Sequence, residues 1–536
     1  MDNTDRASQL NSAMAHLDAR RWRLAEVQCR MILALDPNDI EAILVLGLAI
    51  AASGEAGRAA PILGRVRKAR PEHDDPCRDL ASLRPRVPRA VVARQYRACL
   101  RLAPGDARLR RDFATYLLDG GDPDTALTIL RDAPEVPETL TLRGMALAET
   151  GKFRDAARCF ESAVRQAPRM PDHWANLAMM TRIEGRFDDS IAGYDRALGL
   201  DGADPQLRVN RALALLHAGR WTEAWGEYET RFDRPGFARI SDAPLLDTVT
   251  PDTRLDGKTV LVWHEDGYGD TIQFARYLPA LGALGARVTV LVPAQLERLL
   301  SCMAGISIAR IGDGPVPRHD LQCPFFSLPR AFGATTRNVP AGPYLSADPA
   351  LAAAWSARVP RQSGELSVGL VWSGLARPWL HGFTAVDRRR SAGLAAFAPL
   401  ATVRGTQFVS LQAGTSASQG QDPPMGMTLV DPMDAVQDFA DTAAIIANLD
   451  VVVSVDTSVA HLAGAMGKRV FLLDRYDNCW RWLHGRADTP WYPSMTIFRQ
   501  PRPGDWASAM HRAASALAAL MIIPGTTPGS GLANAA

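Results

Sequence analysis

The sequence predicts an α-helical solenoid followed by two doubly wound α/β domains that face each other. Three observations carry this. A 34-residue period runs through the first 230 or so residues, short β-rich runs alternate with helical ones after Asp233, and a connector parts those runs into two clusters. At 536 residues the chain exceeds a single core, since domains average about 150 residues. Apolar content of 47% and charged content of 22% are those of an ordinary globular protein. A formal net charge of +2 gives no global field toward nucleic acid or anionic lipid.

The repeat rests on a pattern of glycine, aromatic and small residue. It occurs at Gly151, Phe153, Ala156, then Gly185, Phe187, Ser190, then Gly219, Trp221, Ala224. Further columns keep step at Phe160, Tyr194 and Tyr228, and at Ala163 and Ala197. Upstream, Arg20, Trp22 and Ala25, then Gly54 and Ala59, then Pro88 and Ala93 fall in register, and Gly121 and Ala126 mark another unit. The glycine ends the first helix of a pair in a conformation a side chain resists. The small residue five positions on admits close helix packing, and the aromatic column fills the groove to the next pair. Leu35-Asp36-Pro37, Ala103-Pro104 and Ala167-Pro168 end second helices. The pattern resembles about seven tetratricopeptide repeats over 8–231. Such arrays bind peptides or partner proteins on a concave face.

A Pro- and Asp-bearing linker follows at 232–256. Strands are expected at Thr259–His264, Arg287–Pro293 and Ile306–Ile311 in a domain over 257–345. A second set is expected at Ser367–Trp372, Gln407–Leu411, Met427–Val430, Val451–Val455 and Arg469–Leu473 in a domain over 360–520, with a flexible tail at 524–536. In such sheets ligands bind at the carboxyl ends of strands.

The first candidate site is Trp263-His264-Glu265-Asp266-Gly267-Tyr268-Gly269-Asp270, where a strand runs through a Gly-x-Gly turn into a helix. Gly267 and Gly269 would let a substrate approach the backbone. Asp270 reads either as a crevice carboxylate or as a helix cap. The second is Val451–Gly464, an apolar strand running into Asp456-Thr457-Ser458, with His461 one turn on. Free N–H groups of that first turn, with two hydroxyls, suit a diphosphate. The third is Asp387-Arg388-Arg389-Arg390-Ser391, expected between a strand and a helix, where one or two guanidinium forks could pair with phosphate. Ser373 and Gly374 could add contacts at the end of the preceding strand. Trp480-Arg481-Trp482-Leu483 and Trp491-Tyr492-Pro493 read equally as stacking platforms or as core.

Together GDTIQFARYLPALGALGARVTVLV, PYLSADPALAAAW, VGLVWSG, DRRRS, SLQAG and DFADTAAIIANLDVVVSVDTSVAHLAGAMGKRVFLL resemble the bacterial tetratricopeptide-repeat glycosyltransferases, whose catalytic half is similar to the heptosyltransferase family and has the GT-B fold. The resemblance implies transfer of a sugar from a nucleotide-sugar co-substrate, with inversion and with neither a cofactor nor a metal. It implies Asp270 as general base, and Asp456, Thr457, Ser458 and His461 as the donor-binding turn. One of Arg388, Arg389 and Arg390 would lie against the diphosphate. Glu265-Asp266 stands where relatives often carry Glu-Gln, and a longer loop from Leu375 through His381 precedes the arginines.

The acceptor would be a protein, such as a surface or flagellar protein, or a cell-surface glycan, brought in by the repeats. The rival function is a repeat scaffold whose α/β half no longer catalyses. The seven scattered cysteines, without a CxxC pair, fit a reducing cytoplasm. The polar N-terminus lacks the apolar stretch of a signal peptide. No run reaches the roughly 18 apolar residues of a membrane span.

Overall fold

The computed structural model describes residues 3–19, 21–69, 89–102, 104–237, 239–265, 267–361, 364–375 and 383–522. Arg20, Cys77, Pro88, Ala103, Asp266, the loop from Ala376 through His381 and the 524–536 tail lie outside the described residues. The chain forms two compact units, Met1–Pro168 and Arg169–Ala536.

The first unit holds helices α1 (Asn3–Asp18), α2 (Trp22–Leu35), α3 (Ile40–Ala52), α4 (Ala56–Ala69), α5 (Arg89–Leu102), α6 (Ala107–Leu118), α7 (Pro123–Leu130), α8 (Pro137–Glu149) and α9 (Phe153–Gln166). The second opens with α10 (Pro171–Ile183), α11 (Phe187–Leu200), α12 (Pro205–His217) and α13 (Trp221–Tyr228). The repeat columns act as the sequence suggests. Gly151, Gly185 and Gly219 have φ of +79°, +79° and +77°, the left-handed region that only glycine enters freely. Ala156, Ser190 and Ala224 are fully buried. The Ser190 hydroxyl donates to the Ala178 carbonyl of the facing helix at 2.7 Å. Asp39, Asp106, Asp122 and Asp204 cap helix starts by accepting backbone N–H bonds.

The first sheet has the order β3-β2-β1-β4, all parallel: β1 (Thr259–Trp263), β2 (Arg287–Val292), β3 (Ile306–Arg310) and β4 (Leu321–Pro324). Helices α14 (Tyr268–Phe274), α15 (Leu278–Ala283), α16 (Ala294–Leu300) and α17 (Leu328–Ala331) accompany it. After α18 (Pro349–Arg358) comes a second parallel sheet, β10-β9-β8-β5-β6-β7. Its strands are β5 (Leu366–Val371), β6 (Thr406–Ser410), β7 (Leu429–Val430), β8 (Val451–Val455), β9 (Arg469–Asp474) and β10 (Met495–Arg499). Helices α19 (Phe383–Arg390), α20 (Phe439–Ala447), α21 (Ser458–Ala465) and α22 (Trp506–Ile522) accompany these strands.

This is a repeat-like helical array followed by a doubly wound, GT-B-like α/β fold. The central strands bury both faces, which is why they read as unbroken apolar runs. Val452 and Val470 face one cluster, while Val451, Val453 and Phe471 face another packed on α22. Strands β4 and β10 were not expected, and β7 is two residues shorter than the run that announced it. The three arginines form the last turn of α19, after β5 and before the 3-10 helix Leu394–Thr402.

Candidate functional site

Each sheet has a topological switch point, where strands on either side of one position connect in opposite directions. Beside such a point the loops part and leave a crevice at the carboxyl ends. In the first sheet β1 lies between β2 and β4. In the second, β5 pairs with both β6 and β8. The Glu265–Asp270 turn follows β1, Ser373 follows β5, and Asp456–Ser458 follows β8. Three of the sequence candidates thus emerge at switch points.

The α14 and α21 starts meet. Gly269 is the point of closest approach: a Cβ there would lie 2.9 Å from His461 Cδ2 and 3.4 Å from Ser458 Cα. Its missing side chain therefore admits the partner helix. Gly267 donates its N–H to Asp270 Oδ2 at 3.2 Å, and the Asp270 N–H returns to the Gly267 carbonyl at 3.0 Å. Asp270 caps its own helix in this way and also forms an ion pair with Arg481 through Oδ1. Arg481 donates Nε to Gln273 Oε1 at 2.6 Å and stands 4.6 Å over the Trp480 ring. Burial opposes its charge, but Asp270, Cys479 and Asp456 together outweigh that and raise its pKa further.

His461 is buried between aromatic rings. Trp482 stacks on it at 5.2 Å between centroids, and its Nδ1 lies 2.9 Å from the Tyr492 hydroxyl. Burial, with the Arg481 and Arg276 cations, pushes it down to about 3 against the pull of Asp456, so the ring is neutral at physiological pH. The Thr457 hydroxyl lies 3.0 Å from Ser454 Oγ. Ser373 is held by Gln412, whose Oε1 accepts from the Trp372 and Ser373 N–H groups at 3.0 and 2.8 Å.

The arginines separate by partner. Arg389 donates two bonds to Asp477 Oδ2, at 3.1 and 2.9 Å. Arg390 donates to the Asp456 carbonyl at 3.4 Å and pairs with Asp387 at 2.8 Å. A Cβ on Gly374 would strike its guanidinium at 2.4 Å, so that glycine makes room for it. Arg388 is exposed. The clustered aromatics are core: Trp480, Trp482, Trp491 and Tyr492 are all buried.

A cleft of about 460 Å³ opens at the ends of β5, β6 and β8. Ser373, Thr457 and Ser458 line it, together with Tyr268 of α14 and the apolar side chains Leu375, Leu411 and Phe439. Asp270, Asp456, His461 and the three arginines lie outside its lining. Sequence reasoning missed the Asp270–Arg481 pairing, because 211 residues separate the partners. Among the described residues no group of three or more His, Cys, Asp or Glu side chains is set to hold a metal ion, and no helix is long and apolar enough to cross a membrane.

The tetratricopeptide repeat family matches residues 141–206 and 184–236. Over nearly its whole length the chain is similar to Protein FlbA of Caulobacter vibrioides, at 26% identity over 551 residues covering 96% of this chain and 90% of that one. Among solved structures it is similar to the glycosyl transferase family 9 protein from Veillonella parvula DSM 2008, with 10% identity, 50% of this chain and 98% of that chain covered, and a TM-score of 0.39. It is also similar to the E. coli ADP-heptose lps heptosyltransferase II, with 13% identity, 49% and 98% coverage, and a TM-score of 0.37. The chain thus joins a region matched by the tetratricopeptide repeat family to a doubly wound, GT-B-like α/β region.

Proposed function

We propose that the α/β half, 257–345 with 360–520, transfers a sugar from a nucleotide-sugar donor to a protein or glycan acceptor recruited by the repeats of 8–231, the segment 232–256 linking them. One observation carries this reading: the acidic turn after β1 and the Asp456–Ser458 turn after β8 emerge at switch points of separate sheets, and their helices touch at Gly269. An acceptor hydroxyl attacks the anomeric carbon while Asp270 takes its proton. The bond from that carbon to the diphosphate breaks, and the leaving charge is met by the first-turn N–H groups of α21. The Arg390 guanidinium donates to the Asp456 carbonyl, so Arg390 is assigned to the diphosphate. Transfer with inversion and without a metal follows the family resemblance.

The test begins with a thermal-shift screen of UDP-, GDP-, ADP-, CMP- and dTDP-sugars. A donor at 100 times its dissociation constant adds about 2.7 kcal/mol. Absence of any shift across the panel would sink the reading. With a donor in hand, Asp270→Asn should keep the shift and lose turnover. The scaffold reading has one observation of its own: both Asp270 oxygens are engaged, by the Gly267 N–H and by Arg481. It predicts donor stabilisation with no sugar appearing on any co-purified partner.

A further inference from the structure

The end of the repeat array is built into the acidic turn. Arg231, just past α13, is 2% exposed. Its guanidinium forks onto Glu265, with Nε to Oε1 at 2.7 Å and Nη2 to Oε2 at 3.0 Å. Nη2 also donates to Ser327 Oγ at 2.8 Å, and Nη1 to Glu229 Oε1 at 2.8 Å. The Phe232 ring covers the cation at 4.2 Å. Glu265 stands between the end of β1 and Gly267, so this fork anchors the turn that carries Asp270. A second strut leads to Asp270. Trp221 and Trp225 of α13 meet the Trp480 ring edge-on at 6.0 and 5.6 Å, and Trp480 underlies Arg481, the ion-pair partner of Asp270.

We infer that Arg231 is a positioning residue for the Glu265–Asp270 turn, so that the last repeat is a working part of the transferase as well as part of an acceptor-binding array. The inference rests on Asp270 being the base. A bidentate fork fixes both oxygens of Glu265 and hence the direction in which the turn leaves β1. Lysine would supply the charge but not the fork. Without the cation, Glu265 loses both bonds of the fork, while Glu229 keeps the Ser327 hydroxyl and Arg330 at 4.0 Å, so water must replace the lost bonds at the half-buried Glu265.

The experiment uses the full chain and reads backbone amide exchange by mass spectrometry, which needs no substrate. In Arg231→Met, peptides covering 264–274 should exchange on the order of tenfold faster, while peptides covering β8 and β9 keep the parent rate. Glu265→Gln should give the same local pattern, and Arg231→Lys a weaker one. If Arg231→Met does not fold, Arg231→Lys carries the test alone, with the rise still confined to 264–274. With a donor from the thermal-shift panel, Arg231→Lys should lower kcat and leave the donor KM unchanged. A uniform rise over both sheets, or no rise in 264–274, overturns the inference. If instead the local pattern appears and no donor binds, the positioning stands and the transferase reading falls.

Discussion

Gly269 is where the two motif helices come closest, and the space there is already used. The ring it faces cannot swing away, because Trp482 and Tyr492 hold His461 on both sides. A methyl group 2.9 Å from that ring must therefore push α14 off α21. Gly269→Ala should cost about 1–3 kcal/mol of overpacking in chemical denaturation. It should also weaken donor stabilisation more than Gly267→Ala does, since a Cβ at Gly267 meets only Asp270 Oδ2, at 3.1 Å.

His461 itself sets a pH dependence. Its folded pKa of about 3 lies below the roughly 6.5 of an unfolded histidine, so the unfolded chain binds the proton first. The stability it contributes is present above 6.5 and is lost as pH falls toward 3, by about 1.4 kcal/mol per pH unit. His217 is also pushed down to about 3, by burial and then Arg182, and adds an equal slope. Asp474 works the other way. Burial lifts it to about 6, against Arg499, so its contribution is present below about 4 and is lost as pH rises to 6. Urea midpoints between pH 4 and 6 should thus fall with acidification in the parent, fall more steeply in Asp474→Asn and less in His461→Gln. Equal slopes in all three would show that these groups titrate normally. Asp270 and Asp456 were legible in sequence because strand–turn–helix punctuation marks them. Arg481 was seen only as part of an aromatic cluster, since nothing local ties it to residue 270.

At the scale of elements, glycines of one type do opposite things in α12 and α13. Gly219 ends α12 at φ +77°, with open space around its missing Cβ apart from Thr336 at 3.8 Å. Gly219→Ala is then pure backbone strain, about 1–2 kcal/mol destabilising. Gly226 lies inside α13 with nothing within 4 Å, so Gly226→Ala should stabilise by about 0.5–1 kcal/mol by removing unfolded-chain freedom. Thermal midpoints moving in opposite directions would confirm that the glycine column is conformational. The helix pairs were legible because this column repeats. A second column was equally available: Pro137, Pro171 and Pro205 open α8, α10 and α12 at the first helical position, where a missing N–H costs nothing. Strand β4 escaped notice because it is four residues long, contains a buried glutamine and ends in proline. Gln322 is tolerated there because its Nε2 donates to the Ser241 and Ala243 carbonyls of the preceding segment, a partner no periodicity announces.

At the scale of the whole molecule, the period of the sequence and the compact units of the structure divide the chain at different places. The 34-residue pattern runs unbroken through Phe153, Phe187 and Trp221, yet only the helices up to α9 belong to the first unit. The reason is what each repeat face is given to bury. Ala178, Ile191, Tyr194, Leu215, Trp221 and Trp225 of these helices join one core with both sheets, which also holds Trp480 and Trp491. Trp221 and Trp491 stack at 4.8 Å, and Trp225 Nε1 donates to the Ala334 carbonyl at 2.8 Å. A local repeat motif specifies the helix pair but not its neighbour, so the division could not be read from columns alone. Trp225→Ala removes a buried ring and orphans that carbonyl, which should cost about 3–5 kcal/mol. The loss should appear in α10–α13 and in both sheets together, as one cooperative transition, while α1–α9 keep their own. Amide exchange under mild denaturant distinguishes the outcomes. If α10–α13 open with α1–α9 and leave the sheets protected, the last two repeats belong to the solenoid after all, and Arg231 could not hold the acidic turn.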